Sequence, residues 1–220
     1  MIKGIIFDVD GTTLDTLDDI YESFNKALEL FHMPLQTKDQ VRMGVGRGFK
    51  VLIDKCTPEG TDEKTKEEFL PVYSGIYAEN YKNKTLPYEG IPELLKALHE
   101  KGIRLAINSN KGDAYVKGLI EKNFPDIPFT EVMGAREGIA HKPDPQGTDM
   151  IIDEMGLNKE EILYIGDSDV DSQTARNAGL DCILVSWGFR DRDVLEATGE
   201  TRICDEPAQL LPYFIEGETL

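Results

Sequence analysis

Short runs of continuous apolar residues constrain the fold of this chain most strongly. Each run stops abruptly at polar or small residues, so its end is marked in the sequence. A strand that is apolar at every position, rather than at alternate positions, is typical of a parallel sheet covered on both faces. The clearest runs are residues 4–7 before Asp8, 105–107 before Asn108, 162–165 before Gly166 and 182–185 before Ser186; residues 129–133 and 202–204 predict a further strand and an edge strand.

Helical patterns lie between these runs and end at glycines. The segment that starts at Pro92, a favourable residue for the first turn of a helix, has a suitable stop at Gly102. Similar patterns precede Gly156 and Gly179. Alternating strands and helices predict an α/β fold with a doubly wound, Rossmann-like parallel sheet. Ligands of such folds bind at the carboxyl ends of the strands.

One connection is much longer than the fold requires. Between Asp15 and Ile103 the chain far exceeds the roughly dozen residues that a crossover between parallel strands needs. Apolar residues at three- and four-residue steps predict an amphipathic helix over residues 17–31. A second helix is expected over residues 69–81, with Pro71 near its start or at a kink.

These helices predict a division of the chain into two parts. We expect residues 1–15 and 86–220 to form the α/β core and residues 16–85 to form an inserted small helical cap domain. The cap would leave and rejoin the core near Asp15-Thr16 and Leu86-Pro87, which are candidate hinges. A helical insertion attached next to reactive carboxylates is well placed to act as a lid.

The composition limits the partners and the compartment. A net charge of −17 and a pI of about 4.6 argue against nucleic-acid binding, which needs a clustered basic face. The three cysteines are far apart and form no C-x-x-C pair, so we expect a reducing compartment without disulfide or zinc. The N-terminal residues do not resemble a signal peptide, and no apolar stretch reaches transmembrane length. The expectation is a cytoplasmic protein without a membrane partner.

Reactive side chains cluster at the predicted strand ends. Two neighbouring carboxylates repel each other, so a shared proton or a cation must compensate for Asp8 and Asp10. Mg²⁺ prefers oxygen ligands, typically one or two carboxylates completed by water and a substrate phosphate. A lysine supplies positive charge to a phosphoryl oxygen, and a serine can donate to another. The residues concerned are Asp8, Asp10, Ser109, Asn110, Lys142, Asp167 and Asp171.

The same segments resemble the signature motifs of the haloacid dehalogenase (HAD) superfamily of phosphatases. Any one of them is modest evidence, but their order and spacing also match that superfamily. Thr13 stands where the family more often has an apolar residue, and the helical insertion is similar to the family's smaller cap type. The four motifs, in order, are residues 8–15, Ser109-Asn110, Lys142-Pro143 and residues 166–171.

The resemblance implies a phosphoric monoester hydrolase that works through an aspartyl-phosphate. Asp8 would attack phosphorus. Asp10 would protonate the leaving oxygen and then deprotonate the hydrolytic water. Ser109 and Lys142 would complete the catalytic set. The expected Mg²⁺ ligands are Asp8, Asp10 and Asp167, with Asp171 orienting them from behind.

Substrate choice is expected to come from the helical insertion. The glycine-rich, basic loop at residues 43–50, together with residues 86–90, looks like the phosphoglycolate phosphatase branch of the superfamily, although sugar-phosphate and pyrophosphate enzymes share much of this pattern. Arg47 or Lys50 would contact the distal acid group of the substrate, and Asn110 would also bind it. We expect a small phosphorylated metabolite as partner, with 2-phosphoglycolate as a candidate, and a monomer or homodimer.

Two other functions fit parts of the pattern. A phosphomutase acting on a sugar phosphate would return the phosphoryl group to the sugar, so product analysis separates it from a phosphatase. A receiver-like switch would also accept phosphate on an aspartate beside a serine and a lysine, but it would hold one phosphate without turnover. The large insertion and the placement of Asp10 argue against a switch. A dehalogenase fits less well, because that branch has no acid at the position of Asp10 and needs no metal.

Overall fold

The computed structural model describes residues 1–215 of the chain; the last five residues of the expected core range lie outside the described residues. The apolar runs form one parallel sheet of six strands in the order β5-β4-β1-β6-β7-β8. The predicted α/β fold is therefore confirmed. The strands are β1 (Gly4–Phe7), β2 (Leu14–Asp15), β3 (Leu86–Pro87), β4 (Arg104–Gly112), β5 (Phe129–Ala135), β6 (Ile162–Gly166), β7 (Asp181–Val185) and β8 (Ile203–Cys204).

Helices cover both faces of this sheet. Ile5 and Phe7 of β1 belong to a cluster with apolar residues of α5 and α6, whereas Ile6 points into a second cluster with residues of α7 and α8. Burial of each such side chain contributes roughly 1.5–3 kcal/mol. The helices are α1 (Leu17–Leu30), α2 (Lys38–Gly44), α3 (Phe49–Cys56), α4 (Glu63–Asn80), α5 (Ile91–Glu100), α6 (Asp113–Asn123), α7 (Gln146–Met155), α8 (Asp169–Ala178), α9 (Arg192–Glu196) and α10 (Pro212–Ile215).

The ends of several helices have the expected local causes. Gly156 and Gly179 adopt the left-handed conformation directly after α7 and α8. Ser168 caps α8 by accepting a hydrogen bond from the backbone N–H of Asp171. This cap fixes the start of α8 immediately beyond the end of β6.

Strand β4 differs from the sequence prediction. The run was expected to stop before Asn108, but the strand continues to Gly112. Pairing with β5 shifts register between Asn108 and Gly112 and then resumes at Gly112 opposite Ala135. The irregularity lets a strand of polar residues continue past the apolar run, and it places Ser109 and Asn110 within the strand rather than after it.

Helices α1 to α4, here called the helical segment (residues 17–80), pack around a hydrophobic cluster of their own. Its centre is aromatic: Phe24 lies 5.2 Å from Phe69 and 5.3 Å from Tyr73 between ring centroids. α4 runs through Pro71 in its interior. The chain enters and leaves this region through the antiparallel pair β2–β3. The segment is thus attached to the sheet immediately after the turn that follows β1.

The described residues contain no helix that is both long and apolar enough to cross a membrane. Cys56, Cys182 and Cys204 are buried free thiols.

Candidate active site

The turn after β1 positions the first two carboxylates. The backbone N–H of Asp8 donates to the carbonyl of Ile165 in β6 at 3.0 Å, which extends the sheet by one residue. The chain then turns back on itself, and the carbonyl of Val9 accepts from the N–H of Leu14 at 3.0 Å. Gly11 takes a left-handed φ of 85° in this turn, a conformation that strongly favours glycine.

Three buried carboxylates meet at the ends of β1 and β6. Oxygen atoms of Asp8, Asp167 and Asp171 all lie within 4.8 Å of one another. Lys142 joins the group from the segment before α7: its Nζ lies 2.7 Å from Asp171 Oδ1 and 3.1 Å from Asp8 Oδ1. It also donates to the carbonyl of Asn108 at 3.0 Å. The ammonium of Lys142 therefore contacts two of the three grouped carboxylates.

This excess of negative charge shifts the pKa values of the side chains in the group. Burial raises the pKa of Asp8 to about 7; Lys142 opposes the rise, and Asp171 and Asp10 add to it. Burial, followed by the charges of Asp171 and Asp8, raises the pKa of Asp167 well above its usual range. Burial works to lower the pKa of Lys142, but the same two carboxylates outweigh it and raise that pKa well above its usual value. A bound cation would offset the remaining repulsion.

Two oxygens of the group are open to such a cation. Asp8 Oδ1 accepts from the N–H of Val9 at 2.6 Å, and Asp167 Oδ2 accepts from the N–H of Phe189 at 2.6 Å. Within residues 1–215, Asp8 Oδ2 and Asp167 Oδ1 accept no hydrogen bond, whereas both oxygens of Asp171 are engaged by Lys142 and Ser168. Two open carboxylate oxygens fit Mg²⁺, which commonly takes one or two carboxylates and fills its remaining positions with water and substrate.

Glycines make room for Asp167. A Cβ added at Gly11 would lie 2.2 Å from Asp167 Oδ2, and one added at Gly188 would lie 2.3 Å from Asp167 Cβ. Any side chain at either position would displace this carboxylate. The close approach of these two backbones is therefore part of how the site holds Asp167.

The carboxylate of Asp10 lies apart from the other three, and the expected role of Asp10 as a metal ligand stays a prediction. Its carboxylate does not join the group of three; instead, Oδ1 accepts from Thr16 Oγ1 at 2.6 Å and from Lys111 Nζ at 2.7 Å, and Oδ2 accepts from Lys111 at 2.9 Å. A buried ammonium and a hydroxyl hold the side chain on the other side of the turn. The repulsion expected between Asp8 and Asp10 is offset here by Lys111.

Lys111 was not among the site residues predicted from the sequence. Its side chain is only 2% exposed, and its Nζ lies 5.0 Å from the centre of the Tyr77 ring. Buried lysines are rare unless they are paired. The available signal was its position directly after Ser109-Asn110, two residues already assigned to the site.

Ser109 and Asn110 lie beside the carboxylates but serve different contacts. Ser109 Oγ accepts a hydrogen bond from the N–H of Lys111 at 3.3 Å. The amide of Asn110 donates to the carbonyls of Gly46 and Lys142, both at 3.0 Å, and accepts from the N–H of Lys142 at 2.8 Å. Asn110 therefore ties the helical segment to the Lys142 segment through an amide that is fully engaged.

A small cavity lies between the sheet and the helical segment. The sheet side is polar, with Asp8, Asp10, Ser109, Asn110 and Lys111. The helical side is mainly apolar, with Ile20, Val45, Phe49, Leu52 and Tyr73. About 30 Å³ is open to the centres of water molecules, and a single water needs roughly 10–15 Å³ by this measure. The enclosed space suits a small compound.

The structure also places Arg47 and Lys50 away from the expected substrate position. Arg47 Nη2 lies 2.7 Å from Asp169 Oδ2, and Lys50 lines a separate cleft with Glu63 and Lys66. The cause is local: Gly46 and Gly48, with φ of 109° and 84°, bring their backbones to the cavity wall. The side chain between them then contacts the start of α8 instead.

Comparisons with known proteins agree with this geometry. A profile of the haloacid dehalogenase-like hydrolase family matches residues 5–185. A phosphoglycolate phosphatase from Mesorhizobium japonicum is 30% identical over 96% of this chain and 90% of its own. A phosphoglycolate phosphatase from Vibrio vulnificus is 29% identical over 96% and 95%, respectively.

Solved structures agree as well. A candidate phosphoglycolate phosphatase from Lactobacillus delbrueckii subsp. bulgaricus superposes with a TM-score of 0.91 at 33% identity, over 96% of this chain and 97% of that one. The predicted superfamily, the predicted similarity to its phosphoglycolate phosphatase branch and the prediction of a hydrolase are confirmed by these matches. The chain belongs to the haloacid dehalogenase-like hydrolase family.

Proposed function

We propose that the protein is a Mg²⁺-dependent phosphatase that hydrolyses a small phosphomonoester, with 2-phosphoglycolate as the first candidate substrate. One observation carries the proposal: Asp8 presents an open carboxylate oxygen next to Asp167 and Lys142, in the wall of a cavity. The names of the curated relatives support the choice of substrate.

Asp8 is the proposed nucleophile. Its Oδ1 is fixed by the N–H of Val9 and by Lys142, which leaves Oδ2 to form a bond to phosphorus while the bond from phosphorus to the ester oxygen breaks. Lys142 is held against Asp171 at 2.7 Å and stays charged as the substrate approaches. Its ammonium offsets repulsion between the carboxylate and the incoming phosphate.

Asp10 is the proposed acid and base. It would give a proton to the departing alkoxide and then take one from the water that hydrolyses the aspartyl-phosphate, so inorganic phosphate leaves and Asp8 is regenerated. Thr16 and Lys111 fix the orientation of its carboxylate. One side chain can serve both steps because each step leaves it in the state that the other requires.

Asp8 and Asp167 are the proposed ligands for Mg²⁺: Asp167 has an open oxygen, and Asp8 would use the carboxylate oxygen that does not attack phosphorus. The bound cation would neutralise charge on the phosphate and on the two carboxylates. Asp171 positions Lys142 and Ser168 rather than offering a free oxygen. The donor set consists only of carboxylates, which suits a hard cation.

Residues 16–85 are the proposed cap over this site. Their connection to the core through β2–β3 and their separate hydrophobic cluster support this division. A contact from Asn110 to Gly46 joins the two parts at the cavity, and the ion pair of Arg47 with Asp169 joins them in another cleft. Closing the site in this way would exclude water from the aspartyl-phosphate until the alcohol product leaves.

Phosphate release from a panel of metabolite phosphates tests the proposal. We expect many turnovers per protein on 2-phosphoglycolate with Mg²⁺, loss of activity with a chelator, and recovery when Mg²⁺ is restored. The Asp8→Asn variant is the matched control, because it keeps the shape of the side chain and removes the nucleophile. Activity that survives chelation or this substitution contradicts the proposal, and a single phosphate retained per protein indicates a receiver-like switch.

A further inference from the structure

One residue that lines the cavity carries a polar group without a partner. The hydroxyl of Tyr73 is buried and makes no hydrogen bond within the described residues, and the side chain of Tyr73 is 0% exposed. A buried hydroxyl left unpaired costs roughly as much as a lost hydrogen bond, so this donor calls for an explanation. Tyr73 lines the same cavity as Asp8 and Lys111.

This hydroxyl is suited to donate a hydrogen bond. Burial, and then the neighbouring Tyr77 and Asp10, raise the pKa of Tyr73 well above its usual value, so the phenol keeps its proton. Around it the wall is apolar, formed by Phe49 and Leu52. In such surroundings a hydrogen bond to a charged acceptor is stronger than the same bond in water.

Lys111 supplies the matching charge. Among the described residues that line the cavity, it is the only one with a positive charge. An ammonium has three N–H donors, and the hydrogen bonds to the two oxygens of Asp10 leave one of them for a ligand. Arg47 and Lys50 line other clefts.

We propose that Lys111 and Tyr73 form a subsite for the carboxylate that the substrate carries in addition to its phosphate. The inference rests on the proposed phosphatase function and names the residues that select the substrate. The ammonium of Lys111 attracts the carboxylate electrostatically, and the phenol of Tyr73 orients it through a directional hydrogen bond. Both residues line the cavity that also contains Asp8, the proposed nucleophile.

The subsite predicts selectivity against neutral analogues. A neutral compound of the same length, such as 2-hydroxyethyl phosphate, would leave Lys111 without its additional partner. A hydrogen bond to a charged group typically accounts for about a 10- to 100-fold difference in affinity. We therefore expect the wild type to prefer 2-phosphoglycolate over 2-hydroxyethyl phosphate by about this factor or more in kcat/KM.

The chain offers a matched pair of variants. Tyr73 and Tyr77 lie on α4, both belong to the same aromatic cluster, and both have buried hydroxyls without a partner. Only Tyr73 lines the cavity. Tyr73→Phe and Tyr77→Phe therefore remove the same atom from similar surroundings, and each keeps the ring that packs in the core of the helical segment.

The experiment measures kcat/KM of wild type and both variants on the two compounds. Tyr73→Phe should lower the preference for 2-phosphoglycolate by about 10-fold or more and change 2-hydroxyethyl phosphate little. Tyr77→Phe should leave the preference within about 2-fold of wild type. Equal losses on both compounds in Tyr73→Phe, or an equal loss of preference in Tyr77→Phe, overturn the subsite while leaving the phosphatase proposal intact.

A binding measurement separates the two proposals further. Calorimetric titration of the Asp8→Asn protein with each compound, in the presence of Mg²⁺, reports the subsite without turnover. Selective binding of 2-phosphoglycolate that Tyr73→Phe abolishes supports the subsite even if wild type shows no phosphatase activity. Unselective binding, or no binding of either compound, overturns it. Lys111→Met should also reduce the preference for 2-phosphoglycolate over 2-hydroxyethyl phosphate. For this variant only the ratio between the two compounds is informative, because Lys111 contacts Asp10 as well.

Discussion

Two lysines of the candidate site are buried to a similar degree but have different partners. Lys142 contacts the carboxylates of Asp8 and Asp171, which are grouped with Asp167, whereas Lys111 is paired with Asp10. The group around Lys142 has an excess of negative charge and suits a cation. The pair of Lys111 and Asp10 is balanced, lies against apolar and aromatic side chains, and keeps a donor for an anion. Asp8 from the first group and Lys111 from the second both line the cavity, so its two ends have opposite preferences.

The two ends also have different origins. The carboxylate end is built from residues outside the helical segment, at the ends of β1 and β6, the start of α8 and the segment before α7. The Lys111 end is completed by side chains of the helical segment, including Tyr73 and Phe49. Chemistry can therefore be retained in the sheet while selection varies with the helices.

Removing the nucleophile should have the largest effect. Asp8→Asn is expected to lower phosphate release by about 10⁴-fold or more, because no other carboxylate presents an open oxygen at this position. The folded state should not be weakened, since the amide removes one of three mutually repelling charges. Steady-state phosphate release and thermal unfolding of the same preparation check both parts. Residual activity above a few per cent of wild type would mean that another group attacks phosphorus.

Removing each lysine tests the difference in charge directly. Lys142→Met leaves Asp8 and Asp171, which are grouped with Asp167, without their ammonium and should destabilise the fold by about 3–5 kcal/mol. Lys111→Met leaves only Asp10, which keeps its hydrogen bond from Thr16, so its loss should be smaller. Urea unfolding without Mg²⁺ measures the free energy of unfolding of both variants. Equal midpoints for the two variants would show that the number of facing carboxylates does not matter.

Stabilisation by Mg²⁺ distinguishes the two carboxylate environments. At about 100 times its dissociation constant, a ligand of the native state adds about 2.7 kcal/mol to the free energy of unfolding. Asp167→Asn should remove this gain, because it removes an open ligand oxygen. Asp10→Asn should retain it, because Asp10 is bonded to Lys111 and Thr16. Thermal unfolding with and without Mg²⁺ is the measurement. If Asp10→Asn also loses the stabilisation by Mg²⁺, the carboxylate of Asp10 contributes to cation binding.

The sequence was sufficient for features that depend on local pattern. Continuous apolar runs identified the strands. The rule that ligands bind at the carboxyl ends of parallel strands then predicted that Asp8, Lys142 and Asp167 lie at one edge of the sheet. The position of Lys111 was not accessible in this way. It depends on an irregular pairing of β4 with β5 and on aromatic residues of α4, which are distant in sequence. The pairing of Arg47 with Asp169 was likewise not predictable, because it depends on the backbone φ angles of Gly46 and Gly48, which the pattern of apolar residues does not reveal.

Arg47 provides the smallest and most discriminating test of where selection occurs. Its ion pair with Asp169 joins two side chains that are 38% and 41% exposed, and such pairs contribute about 0.2–1 kcal/mol. Arg47→Ala should therefore lower stability only slightly and leave the preference for 2-phosphoglycolate over 2-hydroxyethyl phosphate within about 3-fold of wild type. Lys50→Ala, in another cleft, is the matched control. If Arg47→Ala abolishes the preference while Tyr73→Phe does not, selection lies in the glycine-rich loop, as the sequence alone indicated, and the Lys111 end of the cavity serves only to hold Asp10.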